Sequence, residues 1–137
     1  MSYLIDTNVI SEVRKGGRCT ASVAAWWSEV NEDDLWLSAL VIGEIRRGIE
    51  LARKRDPQKA TALETWLQDV VTGFNDRILT VDTKVAEEWG RLNALRPLPV
   101  VDALLAATAR AKGLTLVTRN ERDLTGIGVS IFNPFEA

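Results

Sequence analysis

Four acidic residues stand at positions where their type and spacing could support chemistry. Asp6 follows the apolar run Tyr3-Leu4-Ile5 at once, with Thr7 and Asn8 behind it. Glu44 falls inside the helical apolar spacing Leu40, Val41, Ile45, Ile49, Ala52. Asp102 is the only charge in the stretch 98–109. Asp123 comes just after Thr118-Arg119-Asn120. Each has an ordinary reading. Asp6 could simply cap a helix. Glu44 could form a buried salt bridge or sit at a stripe edge that reaches water. Asp102 could be a first-turn acid favoured by the helix dipole, and Asp123 a solvated loop residue. Taken together the four point elsewhere. Carboxylate oxygens are the hard ligands that Mg²⁺ and Mn²⁺ prefer. Several carboxylates cannot stay ionised side by side without cations between them. A site of that kind activates water and stabilises charge on a phosphodiester.

The residue types that are missing sharpen this choice. The chain contains no histidine and one cysteine, Cys19. That excludes Ser-His-Asp hydrolysis, Cys-His proteolysis, a histidine general base and a four-ligand N/S zinc site. Neither a Gly-x-x-x-x-Gly-Lys nor a Gly-x-Gly-x-x-Gly run is present, so the common nucleotide cradles are absent. With 137 residues, 46% of them hydrophobic and 26% charged, one globular domain over 1–137 is expected. No apolar run approaches membrane-span length, and the first residues lack the basic start of a signal peptide. These features, with the single cysteine, lead to the expectation of a cytoplasmic protein without membrane contact. A net charge of −2 argues for no particular partner.

The elements that would position these acids alternate between strand and helix. Tyr3–Ile5, Leu35–Leu37, Arg77–Val81, Thr115–Val117 and Val129–Phe132 are expected strands. Helices are expected over Thr7–Arg14, Ser22–Val30, Ala39 to about Arg55, Pro57 to about Val71, Thr83–Leu95 and Val100–Lys112. Ser38, Asp56 and either Asp82 or Thr83 fit as N-caps, and Gly113 as a helix end. The alternation implies a parallel sheet of four to five strands with helices on both faces. Ligands in such folds bind beyond the carboxyl ends of the strands, where Asp6 and Asp123 fall. Asp82, which echoes Asp6 after a strand, reads as a cap, because its helix carries ordinary surface charges.

Four blocks taken in order resemble the PIN-domain ribonucleases. They are the stretch Leu4 to Glu12, the stretch Leu37 to Glu50, Asp102 to Ala109, and Leu116 to Asn120 with Asp123. Within that family the likeness is to the VapC-type toxins of type II toxin–antitoxin modules, in the FitB-like branch. It covers essentially the whole chain. The resemblance implies a PIN-like three-layer α/β/α sandwich with a central, mainly parallel sheet. It implies a Mg²⁺- or Mn²⁺-dependent endoribonuclease. Asp6, Glu44 and Asp102 fall on the family's core acidic positions and Asp123 on its more variable fourth. Thr7, Thr118 and Asn120 fall on polar positions that orient metal, water or a carboxylate. The resemblance also implies a homodimer, held in part by helices of the 38–72 region, and a cognate VapB-type antitoxin with a DNA-binding end, through which alone operator DNA is reached. Leu124 departs from the family, where a phenylalanine is common.

Two alternatives stay open. One is a catalytically idle domain of this fold that binds RNA or protein. The other is an Asp6-nucleophile phosphatase, weakened by Asn8 standing where that chemistry usually has a second aspartate. Arg46 and Arg47, with Arg53, Lys54 and Arg55, flank Glu44 on one helix and could hold an RNA backbone. They could equally form a solvated face paired with Glu50. The five tryptophans, Trp26, Trp27, Trp36, Trp66 and Trp89, fit core and dimer contacts better than base stacking.

Overall fold

The computed structural model describes residues 1–137. Five strands form one parallel sheet in the order β3-β2-β1-β4-β5, with β1 Tyr3–Ile5, β2 Leu35–Ser38, β3 Ile78–Leu79, β4 Thr115–Val117 and β5 Ile131–Phe132. The helices are α1 Thr7–Arg14, α2 Ala21–Glu29, α3 Ala39–Arg53, α4 Pro57–Phe74, α5 Thr83–Leu95, α6 Val100–Lys112 and the single turn α7 Glu121–Leu124. From β1 the chain steps outward through β2 to β3, then returns to lay down β4 on the other side of β1. Right-handed crossovers therefore place α1–α4 on one face and α5–α6 on the other. The packing agrees: α3 lies on α4, α1 on α2 and α3, and α5 on α6. The result is the expected α/β/α sandwich, with its sheet fully parallel.

Local chemistry sets the element ends. Ser38 Oγ accepts from Leu40 N at 3.0 Å, Asp56 Oδ1 from Lys59 N at 3.1 Å and Asp82 Oδ1 from Val85 N at 2.9 Å, each opening a helix. Gly113 ends α6 at φ 68°, where a side chain would be strained. Leu4 and Ile5 of the central strand are fully buried, as expected for a parallel strand covered on both faces.

Several helix ends shift by one to three residues, and three differences from expectation have a clear physical cause. The third strand shrinks from Arg77–Val81 to two residues. Arg77 instead closes a turn, its guanidinium donating to the carbonyls of Leu35 at 2.6 Å and Gly73 at 2.9 Å. The fifth strand starts at Ile131 rather than Val129, because Gly126 and Gly128 sit at positive φ and turn the chain just before it. Asp123 lies on α7 rather than in an open loop, since Leu124 is drawn into the core at 2% exposure.

Candidate active site at the ends of β1 and β4

Strands β1 and β4 pair with Ile5 opposite Val117. The bonding runs one residue further: Asp6 N donates to Val117 O at 2.9 Å, and Thr118 N to Phe132 O at 3.0 Å. Asp6 and Thr118 thus stand side by side where the strand order reverses. Beyond them the chain departs to opposite faces of the sheet, which opens a crevice at this point. Thr118 is fully buried and Asp6 is 7% exposed. Thr118 Oγ1 donates to Asp6 Oδ2 at 2.8 Å, and Thr7 N donates to Asp6 Oδ1 at 2.6 Å. Asp6 is the N-terminal cap of α1 and a member of a polar cluster at once.

The other acids arrive from three further elements. Helix α1 packs against α3, so that Thr7 Oγ1 donates to Glu44 Oε1 at 2.6 Å. Glu44 is not the core-facing acid its spacing suggests. Val41, Ile45 and Ile49 are buried, whereas Glu44 is exposed. The stripe is narrower than expected, and one residue of offset turns a side chain by about 100°, enough to bring Glu44 to the crevice rim. Asp102 is half-buried in the first turn of α6, and Asn120 Nδ2 donates to its Oδ2 at 3.3 Å. Asp123 is exposed on α7. Arg96 holds that segment by donating to the backbone carbonyls of Asp123 and Thr125.

The electrostatics are those of uncompensated negative charge. Burial pushes the Asp6 carboxyl above its usual 3.8, and the charges of Asp102 and Glu44 add to this, against the hydrogen bonds from Thr118 and Thr7. Burial likewise raises Asp102, helped by Glu44 and Asp123 and opposed by Asn120. No ion pair of the chain involves Asp6, Glu44, Asp102 or Asp123. Glu12, equally buried, shows the contrast: it is bonded to Lys15 Nζ at 2.8 Å and to Thr20 N at 2.9 Å. The four acids do not close on one point, for no three acidic side chains are grouped tightly enough to hold an ion between them. The donor set still fits a hard divalent cation, being all carboxylate, hydroxyl and amide oxygen, with the buried Asp6 lacking any cationic partner.

Seven of the nine candidate residues therefore belong to one connected region: Asp6, Thr7, Glu44, Asp102, Thr118, Asn120 and Asp123. Arg46 does not join it. Its guanidinium donates to Glu50 at 3.1 Å and to Glu64 of α4 at 2.8 Å, and Arg53 bonds the same two glutamates. Of its two readings, the ion-paired one describes this geometry: an i,i+4 neighbour and a facing helix both engage Arg46. Arg47 is exposed and outside every ion pair. Asp82 is a cap, as read, and Lys112 pairs with it at 2.7 Å. All five tryptophans are partly buried against the core.

Sequence reasoning gave no role in the site to Asn8 or Arg96. Asn8 Oδ1 accepts from Arg119 N at 3.2 Å, while its Nδ2 lies 3.4 Å from Asp6 Oδ2. It ties the end of β1 to the segment after β4. Its place two residues after Asp6 was the available signal. Arg96 carried none, since its partners are carbonyls distant in sequence.

The profile of the PIN domain family matches residues 3–127. Toxin FitB of Neisseria gonorrhoeae is 31% identical, the alignment covering 96% of this chain and 97% of that one. A crystal structure described as FitAcB from the same organism superimposes with a TM-score of 0.90, at 30% identity over 98% of this chain and 99% of that one. The VapC ribonuclease Y4jK of Sinorhizobium fredii is 31% identical, over 97% of both chains. A toxin–antitoxin complex from Klebsiella pneumoniae contains a chain of the same fold, with a TM-score of 0.74 and 25% identity over 99% of this chain and all of that one.

Proposed function

The chain belongs to the PIN-domain family, and on that footing we propose that it is the toxin of a type II toxin–antitoxin pair, an endoribonuclease that hydrolyses RNA phosphodiester bonds at the β1–β4 crevice. One observation carries this reading. The buried Asp6 carboxylate has two other acids within electrostatic range and no basic side chain to balance them. In a folded protein such an arrangement is costly unless a cation completes it. Asp6, Glu44, Asp102 and Asp123 would hold Mg²⁺ or Mn²⁺. Bound there, the ion supplies Lewis-acid polarisation of a phosphoryl oxygen and lowers the pKa of water.

The chain's own groups do the orienting. Thr118 and Thr7 fix the two oxygens of Asp6 in direction, so the carboxylate enters the reaction already aimed. Thr7 Oγ1 also holds Glu44, and Asn120 holds Asp102. Three polar side chains thus each restrain one acid, and none brings a positive charge that would compete with a metal or with a phosphate.

A similar chain solved in a toxin–antitoxin complex supports an antitoxin partner. A homodimer and a VapB-type antitoxin that blocks the crevice and reaches operator DNA with its own DNA-binding end fit this reading, as does a cytoplasmic setting. No helix is long and apolar enough to cross a membrane. The test is a paired assay of the wild type and Asp6→Asn on total cellular RNA with Mg²⁺, Mn²⁺ or EDTA. Discrete fragments from the wild type alone, absent in EDTA, are expected. Equal behaviour of the two proteins under every metal, with residual antitoxin excluded by mass spectrometry, would move the function to the idle, binding-only alternative.

A further inference from the structure

A cleft leaves the acid crevice along α3. About 220 Å³ in volume, it is lined by Thr7 and Glu44, by Gly48 and Ala52 on successive turns of α3, and by Lys59 of α4. Gly48 leaves it open, since a side chain there would meet nothing within 4 Å. Ala52 and Lys59 also line a wider hollow of about 610 Å³, whose other walls include Lys54 and Arg55. The two hollows thus adjoin at Ala52 and Lys59. From Glu44 to Lys54 the helix rises about 15 Å.

The charges along this route are unevenly engaged. On α3, Arg46 and Arg53 are bound to Glu50 and Glu64. Lys54, Arg55 and Lys59 are exposed and take part in no ion pair. The one acid in the hollow, Asp56, has an oxygen occupied in capping α4. Three unpaired cations thus end a cleft that begins at carboxylates. Stacking is a weaker feature here: Trp66 lines the narrow cleft, but Arg14 lies 5.5 Å over its ring. The chemistry favours phosphates over bases.

We propose that the single-stranded RNA substrate runs from the crevice along the α3–α4 cleft, with its backbone phosphates held by Lys54, Arg55 and Lys59. The assignment rests on the RNA-cleaving reading above, and it moves the substrate contact from Arg46 to the far end of α3. Contacts of this kind set register and affinity without reading sequence.

The test measures binding rather than turnover. Full-length Asp6→Asn protein in EDTA is titrated into a fluorescein-labelled single-stranded RNA over a series of KCl concentrations, followed by anisotropy. Adding Lys54→Gln, Arg55→Gln and Lys59→Gln together should reduce the slope of log K against log[salt] by about 2, from roughly 0.7 for each lost single-strand phosphate contact. The charge-keeping set Lys54→Arg, Arg55→Lys and Lys59→Arg should restore it, which separates charge from folding. Arg91→Gln on α5, across the sheet, should leave the slope unchanged.

A slope unaltered by the triple change, or altered as much by Arg91→Gln, overturns the proposal. So does loss of antitoxin capture with RNA binding intact, which would give the surface to the antitoxin. The two readings fail separately. A wild type that never cleaves RNA but loses its salt slope in the triple variant refutes the nuclease and keeps the track. Robust cleavage with an unchanged slope does the reverse.

Discussion

Thr118 uses one hydroxyl twice: it donates to Asp6 Oδ2 and accepts from Asn120 N at 3.1 Å. A hydroxyl has one proton and two lone pairs, so both bonds form together and define its rotor. Thr118→Val keeps the shape and removes both. Activity should fall by about 10–100-fold, the usual cost of removing a group that orients a ligating carboxylate. The buried orphans left behind should lower stability by about 1–3 kcal/mol in urea titration. Asp102→Asn should act differently, abolishing cleavage while the fold survives. The folded-state carboxyls of Asp6 and Asp102 lie above 3.8, so around those values the folded chain binds more protons than the unfolded one. Stability in metal-free buffer then falls as pH rises through their folded values. In EDTA at neutral pH, Asp102→Asn should melt above wild type, and the gain should vanish at a pH below 3.8. A lower melting point for the variant at neutral pH would mean that the charge is compensated after all.

At the scale of elements, the caps and fasteners decide where the acids stand. Ser38, 1% exposed, opens the helix that carries Glu44. Ser38→Ala should cost about 1 kcal/mol, measurable as a shifted urea midpoint with an unchanged slope. Glu12 fastens the end of α1 to Thr20, where α2 begins. Its carboxyl is held down to about 2 from the usual 4.5, first by Lys15 and then by the Thr20 N–H. A depressed value stabilises the fold above the unfolded pKa, and the contribution is lost as pH falls from about 4.5 towards about 2. Glu12→Gln should therefore melt below wild type at pH 7, with the gap closing across that window. A gap that stays constant with pH would put the effect down to packing. The Arg46–Glu64 and Arg53–Glu50 pairs are half-exposed, and Arg46→Gln should change stability by no more than about 1 kcal/mol.

For the whole molecule, cation binding and folding should be linked. If the four acids bind Mg²⁺ only when the fold brings them to one crevice, the ion stabilises the folded state by about 2.7 kcal/mol at a hundred times its Kd. Thermal scans of wild type with increasing Mg²⁺ should rise accordingly, and those of Asp6→Asn should stay flat. Parallel rises in both proteins would place the binding elsewhere. The sheet order explains why one crevice can serve. With β4 laid beside β1 after the chain has crossed from β3, two strand ends diverge at a single point, and α3 and α6 reach it from opposite faces.

Much of this was legible in the amino-acid order because it is local. A cap is decided by a side chain and an amide two or three residues away, so Ser38, Asp56 and Asp82 could be named from their neighbours. Strand and helix alternation is a matter of spacing, and with it came the parallel sheet and the meaning of residues that follow strands. What the order of residues could not decide was everything set by distant contacts. Glu44 lies on the stripe by spacing and off it in space, because the elements packed on α3, α1 and α4 among them, choose which residues are covered. Pairing of Arg46 with Glu50 was readable from their spacing, but only the packing of α4 brought Glu64 against it as well. Arg77 left the third strand because carbonyls more than forty residues earlier captured its guanidinium. Burial and ion pairing depend on which surfaces meet: Glu50 pairs with Arg46 and Arg53 within α3, but the second partner, Glu64, and the hollow that gathers Lys54, Arg55 and Lys59 belong to the tertiary structure.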